Sequence, residues 1–420
     1  MADPVRAQPD GLPGGLRREE GEGPLEGAAW YVAQAEGDGL SYRVEPGTLT
    51  EAAWLTADLL LDGEHMARFQ LTLQEGEDGP AFHLGFALLN QCQARLRLPL
   101  SALDQNRWML GREGAWLKPI CRGARVDPAK VDRVTLTVIR KSERPVRFAL
   151  TPFAATTDEP ERLTEPLLPQ GPLLDELGQS TLHEWPTKTR SVEELTERLR
   201  AQHEAAAAQC WPDGFSDWGG SADQRVEATG FFRTEHDGER WWLVDPDGGL
   251  FWSAGLDCVR SSIETNASGL ASALSWLPEA EGDFAAAGSR RGDAVTVNYL
   301  AANLIRAFGP DAWHDAWATI ALAELRRAGF NTVANWSEWE IARAAGFPYV
   351  RPLSLTLEHT PTVFRDFPDV FHPGWERDCA AFAEQLRETA DDRALIGYFL
   401  MNEPKWGFAA ELPAAGMLFN

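Results

Sequence analysis

The sequence predicts a multidomain chain, with an N-terminal all-β, jelly-roll-like sandwich followed by an incomplete (β/α)8 TIM barrel, about four of eight βα units. Three observations predict it. Short strand-like segments separated by Gly, Asp and Asn fill residues 28–155. From about Gly230 onward apolar runs alternate with helical runs, the order of parallel βαβ units. Polar residues then gather where each apolar run ends, the end at which such a barrel carries its chemistry.

Taken in order, residues 1–27 are rich in Gly, Pro and charge and are expected to form a disordered tail. AWYVAQ, LSYRVEP, AWLTADLLLD, ARFQLTLQE, AFHLGFALLN, ARLRLPLS and RVTLTVIRK then alternate or are β-branched, and RPVRFALTPF closes the sandwich over 28–155. Residues 156–229 read as a connector. Its Pro- and Gly-rich part lies extended, and a helix over 191–209 follows, with Ser191 as N-cap and Glu194 completing a capping box. Residues 230–420 hold the barrel half. Turns at HDG and DPDGG precede LFWSAGLDCV, which is apolar almost throughout and so predicted to be a strand buried on both faces. A helical stretch breaks at Gly309-Pro310. FNTVANW, YVRPLSLTLE and ALIGYFLMNEP supply three more strands, with helices in SEWEIARAAGF and PGWERDCAAFAEQLRETADD. A doubly wound cofactor-binding sheet fits the same order. However, Gly255 stands alone and no Gly-rich phosphate turn follows the first strand, so no cofactor is expected.

Composition narrows the partners. A net charge of −24 repels nucleic acid and anionic lipid and is compatible with a neutral substrate. Hydrophobic residues, 44% of the chain, suffice for a large core, and the 17 Trp are an unusual number, with plain core packing one reading of them. A cleft stacking flat sugar faces on indole rings would account for the excess. The five Cys form no C-x-x-C pair, so neither a zinc cluster nor a disulfide frame is expected. No apolar leader and no bilayer-length apolar run are visible, which predicts a cytoplasmic protein without a membrane partner. The oligomeric state is not readable.

The sharpest local signal is Asn402-Glu403-Pro404, directly after LIGYFLM. A carboxyl at the mouth of an apolar-walled cavity is partly desolvated, stays protonated near neutrality and can donate to a leaving oxygen. Asn402 can hydrogen-bond a hydroxyl beside the reacting carbon. Asp257 and Arg260 after the first strand, Asn335 and Trp336 after the second, His359 after the third, and Trp406 beyond the fourth are the candidate substrate contacts. Each has a plainer reading as a salt bridge, core aromatic or structural His. Asp369 and His372 read as loop-capping residues, and Cys258 as buried packing.

The stretches GFFRTEHDGERWWLVDPDGGLFWSAGLDCVR, RRAGFNTVANW, PDVFHP and LIGYFLMNEPKW, with GPLLDELGQSTLHEWPTKT upstream, resemble glycoside hydrolase family 50. That family comprises the β-agarases and their relatives and belongs to the clan of retaining (β/α)8 hydrolases. The resemblance implies a carbohydrate-binding-module-like sandwich, and Glu403 as the acid/base. It implies hydrolysis of a β-linked galactoside-type glycan such as agarose, with another β-galactoside or β-glycan left open. Retention needs a second carboxylate about 5–5.5 Å from the first, which the resemblance places on a seventh strand. Only four strands are counted, so the chain is expected to be a truncated fragment without its nucleophile and inactive alone. The alternative is a non-catalytic carbohydrate-binding protein or a degenerate hydrolase.

Overall fold

The computed structural model describes residues 9–11, 15–21, 23–139, 144–164, 171–364 and 367–402 of the 420. It is β-rich, with several separate sheets.

Two antiparallel sheets enclose the largest core. One runs, in spatial order, Pro9–Gly11, Gly39–Arg43, Arg133–Val138, Ala67–Gln74, Ala81–Leu88 and Trp116–Gly123. The other runs Ala154–Thr156, Trp54–Asp62, Val146–Leu150, Ala29–Ala33 and Arg17–Arg18, with Gln93–Pro99 paired to Trp54–Asp62. In Arg133–Val138 the buried residues are Val134, Leu136 and Val138, the alternation that one apolar and one wet face require. Phe69 of the first sheet meets Phe148 of the second edge-to-face, with ring centres 5.1 Å apart. The described residues of the expected tail do not hang free. Pro9–Gly11 pairs with Ser41 and Tyr42, and Arg17–Arg18 with Tyr31 and Val32. Asp38 supplies the reason, since its buried carboxylate accepts the N–H groups of Gly15, Gln34 and Ala35 at 2.6, 2.7 and 2.9 Å. That fastens the incoming chain to the first hairpin.

In the connector, helix α1 spans Val192–Ala206 and ends short of 209. The Ser191 hydroxyl accepts the Glu194 N–H, while the Glu194 carboxylate takes the Arg190 N–H at 2.7 Å rather than that of the cap residue. Helix α1 packs on α2 (Tyr299–Phe308) and α3 (Trp313–Arg327), and Arg200 donates to the last turn of α2 through the Ala307 carbonyl.

Four strands, Gly255–Leu256, Thr332–Val333, Tyr349–Pro352 and Leu395–Phe399, form a parallel sheet whose spatial order follows the chain. Helices α2 and α3 lie between the first two strands in sequence, α4 (Trp339–Ala344) between the second and third, and α5 (Trp375–Glu384) before the fourth. Leu322 and Leu325 of α3 and Ala342 of α4 bury against Val333, Phe347 and Tyr349. A doubly wound sheet reverses strand order at a switch point, and this sheet does not reverse.

The run from Leu250 differs from expectation. Leu250–Phe251 closes a small antiparallel sheet with Arg233–His236 and Trp241–Val244, and only Gly255–Leu256 reaches the parallel sheet, both residues exposed. The strand lies at the sheet edge, so it is covered on one side only. Gly255 passes so close to its neighbour that a Cβ there would sit 2.5 Å from the Thr332 carbonyl oxygen. The third strand stops at Pro352, short of the SLTLE residues that the alternation had included. A small sheet of Thr265–Asn266, Gly288–Arg291 and Ala294–Val297, not foreseen, stands before α2. Among the described residues no helix is long and apolar enough to cross a membrane.

Candidate active site

The C-terminal ends of the parallel strands gather polar groups through backbone and side-chain bonds. Asn335, two residues past the second strand, is buried at 2% exposure. Its amide nitrogen donates to the Asn402 amide oxygen at 3.1 Å, spanning the third strand, and its carbonyl accepts the Cys258 N–H at 2.9 Å. One Asn thus links the ends of the first, second and fourth strands. Asn402 itself is exposed.

Two residues beside Asn335 carry backbone strain. Cys258 has φ 60° and Trp336 φ 57°, a region that side chains with a Cβ occupy at a cost of about 1–2 kcal/mol. Such strain concentrates where function fixes a side chain. The turns hold the Trp336 indole outward, 44% exposed, and leave Cys258 exposed, contrary to the expected packing role. Asp257 and Arg260 are exposed on the same turn.

Beneath the rim lies a network that the sequence did not announce. Glu338 stands just before α4 without capping it through its side chain, and one of its carboxylate oxygens accepts both the Ser261 N–H (2.5 Å) and the Ser261 hydroxyl (2.8 Å). The other oxygen meets His314 Nε2 of α3 at 2.6 Å. Burial opposes its ionisation, but the Ser261 N–H, the His314 ring and the Ser261 hydroxyl outweigh burial and hold the carboxyl below its ordinary range. Buried Asn298 donates to the Ser261 carbonyl and caps α2, so the loop after the first strand is anchored at several points. No spacing rule joins residues 261, 314 and 338, and only the crossover topology brings them together.

His359 is not at a strand end. The chain leaves the sheet at Pro352, and His359 pairs through Nδ1 with Asp378 of α5 at 2.9 Å, which is the structural reading. Asp369 and His372 accept the N–H groups of Phe371 and Gly374, as loop-capping residues do. Glu403 and Trp406 lie outside the described residues. Among the described residues no group of three or more His, Cys, Asp or Glu could hold a metal ion.

No family model matches the chain. It is similar to β-agarase B of Vibrio sp. (strain JT0107), 28% identical over 273 residues, and to β-agarase A of the same strain, 25% identical over 266 residues. Each match takes in 56% of this chain but only 28% and 26% of the relative, so the chain spans about a quarter of the length of these curated relatives. Its fold is similar to that of an agarase, AgWH50C (TM-score 0.54, 21% identity, 94% of this chain and 66% of that one). It is also similar to that of an exo-β-agarase (TM-score 0.52, 19% identity, 90% and 61%). The same holds for PfGH50B (TM-score 0.51, 18% identity, 97% and 64%). The chain is β-agarase-like, as its resemblance to glycoside hydrolase family 50 implied.

Proposed function

We propose that this β-agarase-like chain supplies the acid/base half of a retaining glycoside hydrolase acting on agarose or a related β-galactan. The observation that carries the reading is the Asn335–Asn402 bond, which fixes the turn immediately before Glu403 to the rim of the parallel sheet. In this reading the four parallel strands are staves of a (β/α)8 barrel, supported by a strand order that never reverses. Asn402 binds a sugar hydroxyl, and Trp336 stacks on a ring beside it. Asp257 and Arg260 reach substrate from the neighbouring turn, and Trp406 adds a further contact. Glu403 protonates the leaving oxygen and later activates water. The sandwich is read as a carbohydrate-binding module packed beside the catalytic part.

A retaining mechanism also needs a nucleophilic carboxylate. Glu338 is engaged by Ser261 and His314 and is read as a support of the loop after the first strand. In this reading the nucleophile is supplied from outside these 420 residues, and the chain alone is inactive. The test is to assay the complete gene product and residues 1–420 in parallel on agarose oligomers, aryl β-galactosides and unrelated β-glycans. Agarose-specific cleavage with retention, by the complete product only, supports the reading. Turnover by the 420-residue chain would put the nucleophile within it, and exposed Glu358 would be the first residue to replace.

A further inference from the structure

We propose a second glycan-binding site at the opposite end of the parallel sheet, a corner formed by Trp252 and Trp242 that holds a neutral galactan chain while the catalytic rim is occupied. This inference rests on the galactan reading above and adds a place that the reading does not use.

Trp252 is among the most exposed apolar side chains described, at 71%. An indole carries a large apolar area that is ordinarily covered, so one standing in water marks a contact surface rather than core. Trp242, on the adjacent strand, lies across from it, with ring centres 6.5 Å apart and planes at 73°. Arg240 covers one face of Trp242 at 3.8 Å, and Asp237 accepts its indole N–H at 2.7 Å, so this ring is fixed as the wall of the corner. The floor is a cavity of about 270 Å³, bounded also by Phe215, Ser221 and Gln224. That volume suits a sugar ring rather than a polypeptide segment.

The chemistry of the corner fits a neutral sugar. Pyranose rings present flat C–H faces that stack on indoles, and their hydroxyls need donors and acceptors at the edge. Exposed Gln224 and the Ser221 hydroxyl stand there. Among the described residues no Lys or Arg lines the cavity, Arg240 being stacked on Trp242, and the chain carries a net charge of −24, so an anionic ligand is disfavoured. The position follows from the strands. Trp252 and Asn331 precede the first and second parallel strands, whereas Asn335 and Asn402 follow the second and fourth. The corner and the catalytic rim therefore face opposite ends of the sheet and do not compete for the same residues.

The test is site-resolved oxidation of tryptophan by N-bromosuccinimide in the complete gene product carrying Glu403→Gln, with and without an agarose-derived hexasaccharide, read by peptide mapping. Trp252 should oxidise readily in the free protein and be protected by the sugar. Binding of the same hexasaccharide by calorimetry should show a class of site weakened about tenfold or more by Trp252→Ala and largely kept by Trp252→Phe. A Trp252 already shielded without sugar would mean that another part of the molecule covers it, and this would overturn the proposal. So would oxidation unaffected by the hexasaccharide. Protection of Trp252, together with a wild-type complete gene product that cleaves no galactan, would leave the site standing and remove the catalytic reading. Cleavage without protection would do the reverse.

Discussion

At the scale of single residues, Glu338 and Trp336 separate support from contact. Glu338→Gln keeps the shape but weakens three bonds to Ser261 and His314, and should destabilise the fold by about 1–2 kcal/mol, with partial exposure letting water offset the loss. Its carboxyl is held below the ordinary value, so its contribution is full above the unfolded-state pKa and fades as pH falls through the folded one. Urea midpoints at neutral pH and near pH 3 should therefore differ less for the variant than for wild type. Equal differences would dismiss the network. Trp336→Gly acts the other way. Glycine accepts φ 57° without strain, so stability should hold or rise by up to about 1 kcal/mol. KM for galactan oligomers should rise by about tenfold once the stacking ring is gone. A loss of stability without a change in KM would make Trp336 a packing residue. The strand-end positions of Asn335 and Asn402 were legible because each follows an apolar run. His359 misled because the third strand ends early at Pro352, and strand length depends on partners absent from the local sequence.

Among elements, the helices and the order of the four parallel strands were readable, and the lengths of the strands were not. The Ser191 and Glu194 signals mark the start of α1 because capping is local chemistry between residues a turn apart. Ser191→Ala should cost about 1 kcal/mol, and because Arg200 of α1 holds the end of α2, amide exchange should quicken in both helices. Faster exchange confined to α1 would show that the two are uncoupled. The Gly255–Leu256 strand carries two paired residues, too few for periodicity to mark, and its glycine is dictated by a neighbour far along the chain. Gly255→Ala should drive a methyl into the Thr332 backbone and destabilise by about 1–3 kcal/mol, measured by thermal melting. Wild-type stability would mean that the first strand is not docked as described.

Over the whole molecule, the sandwich was legible because alternation over several residues writes both faces of a sheet into the sequence, and its end-to-end order was not, because pairing is long-range. The parallel sheet carries an unusual surface. Leu256, Phe399, Leu400 and Met401 are 39–62% exposed around its edges and strand ends. Apolar surface of that kind binds partners or dye. Residues 1–420 should enhance the fluorescence of an apolar dye, and Leu400→Asp with Met401→Asp should reduce it. Unchanged fluorescence would mean that this surface is covered. The central claim is that the turn fixed by Asn335 and Asn402 presents Glu403 as a proton donor. Its most direct test is Glu403→Gln in the complete gene product, comparing agarose oligomers with aryl galactosides bearing good leaving groups. Acid catalysis contributes about 10²–10⁴-fold where the leaving oxygen needs a proton. The account predicts a loss of that order on agarose and a much smaller one in the glycosylation step of the activated aryl substrates. Equal losses on both, with glycosylation rate-limiting, or no loss on agarose, would contradict it.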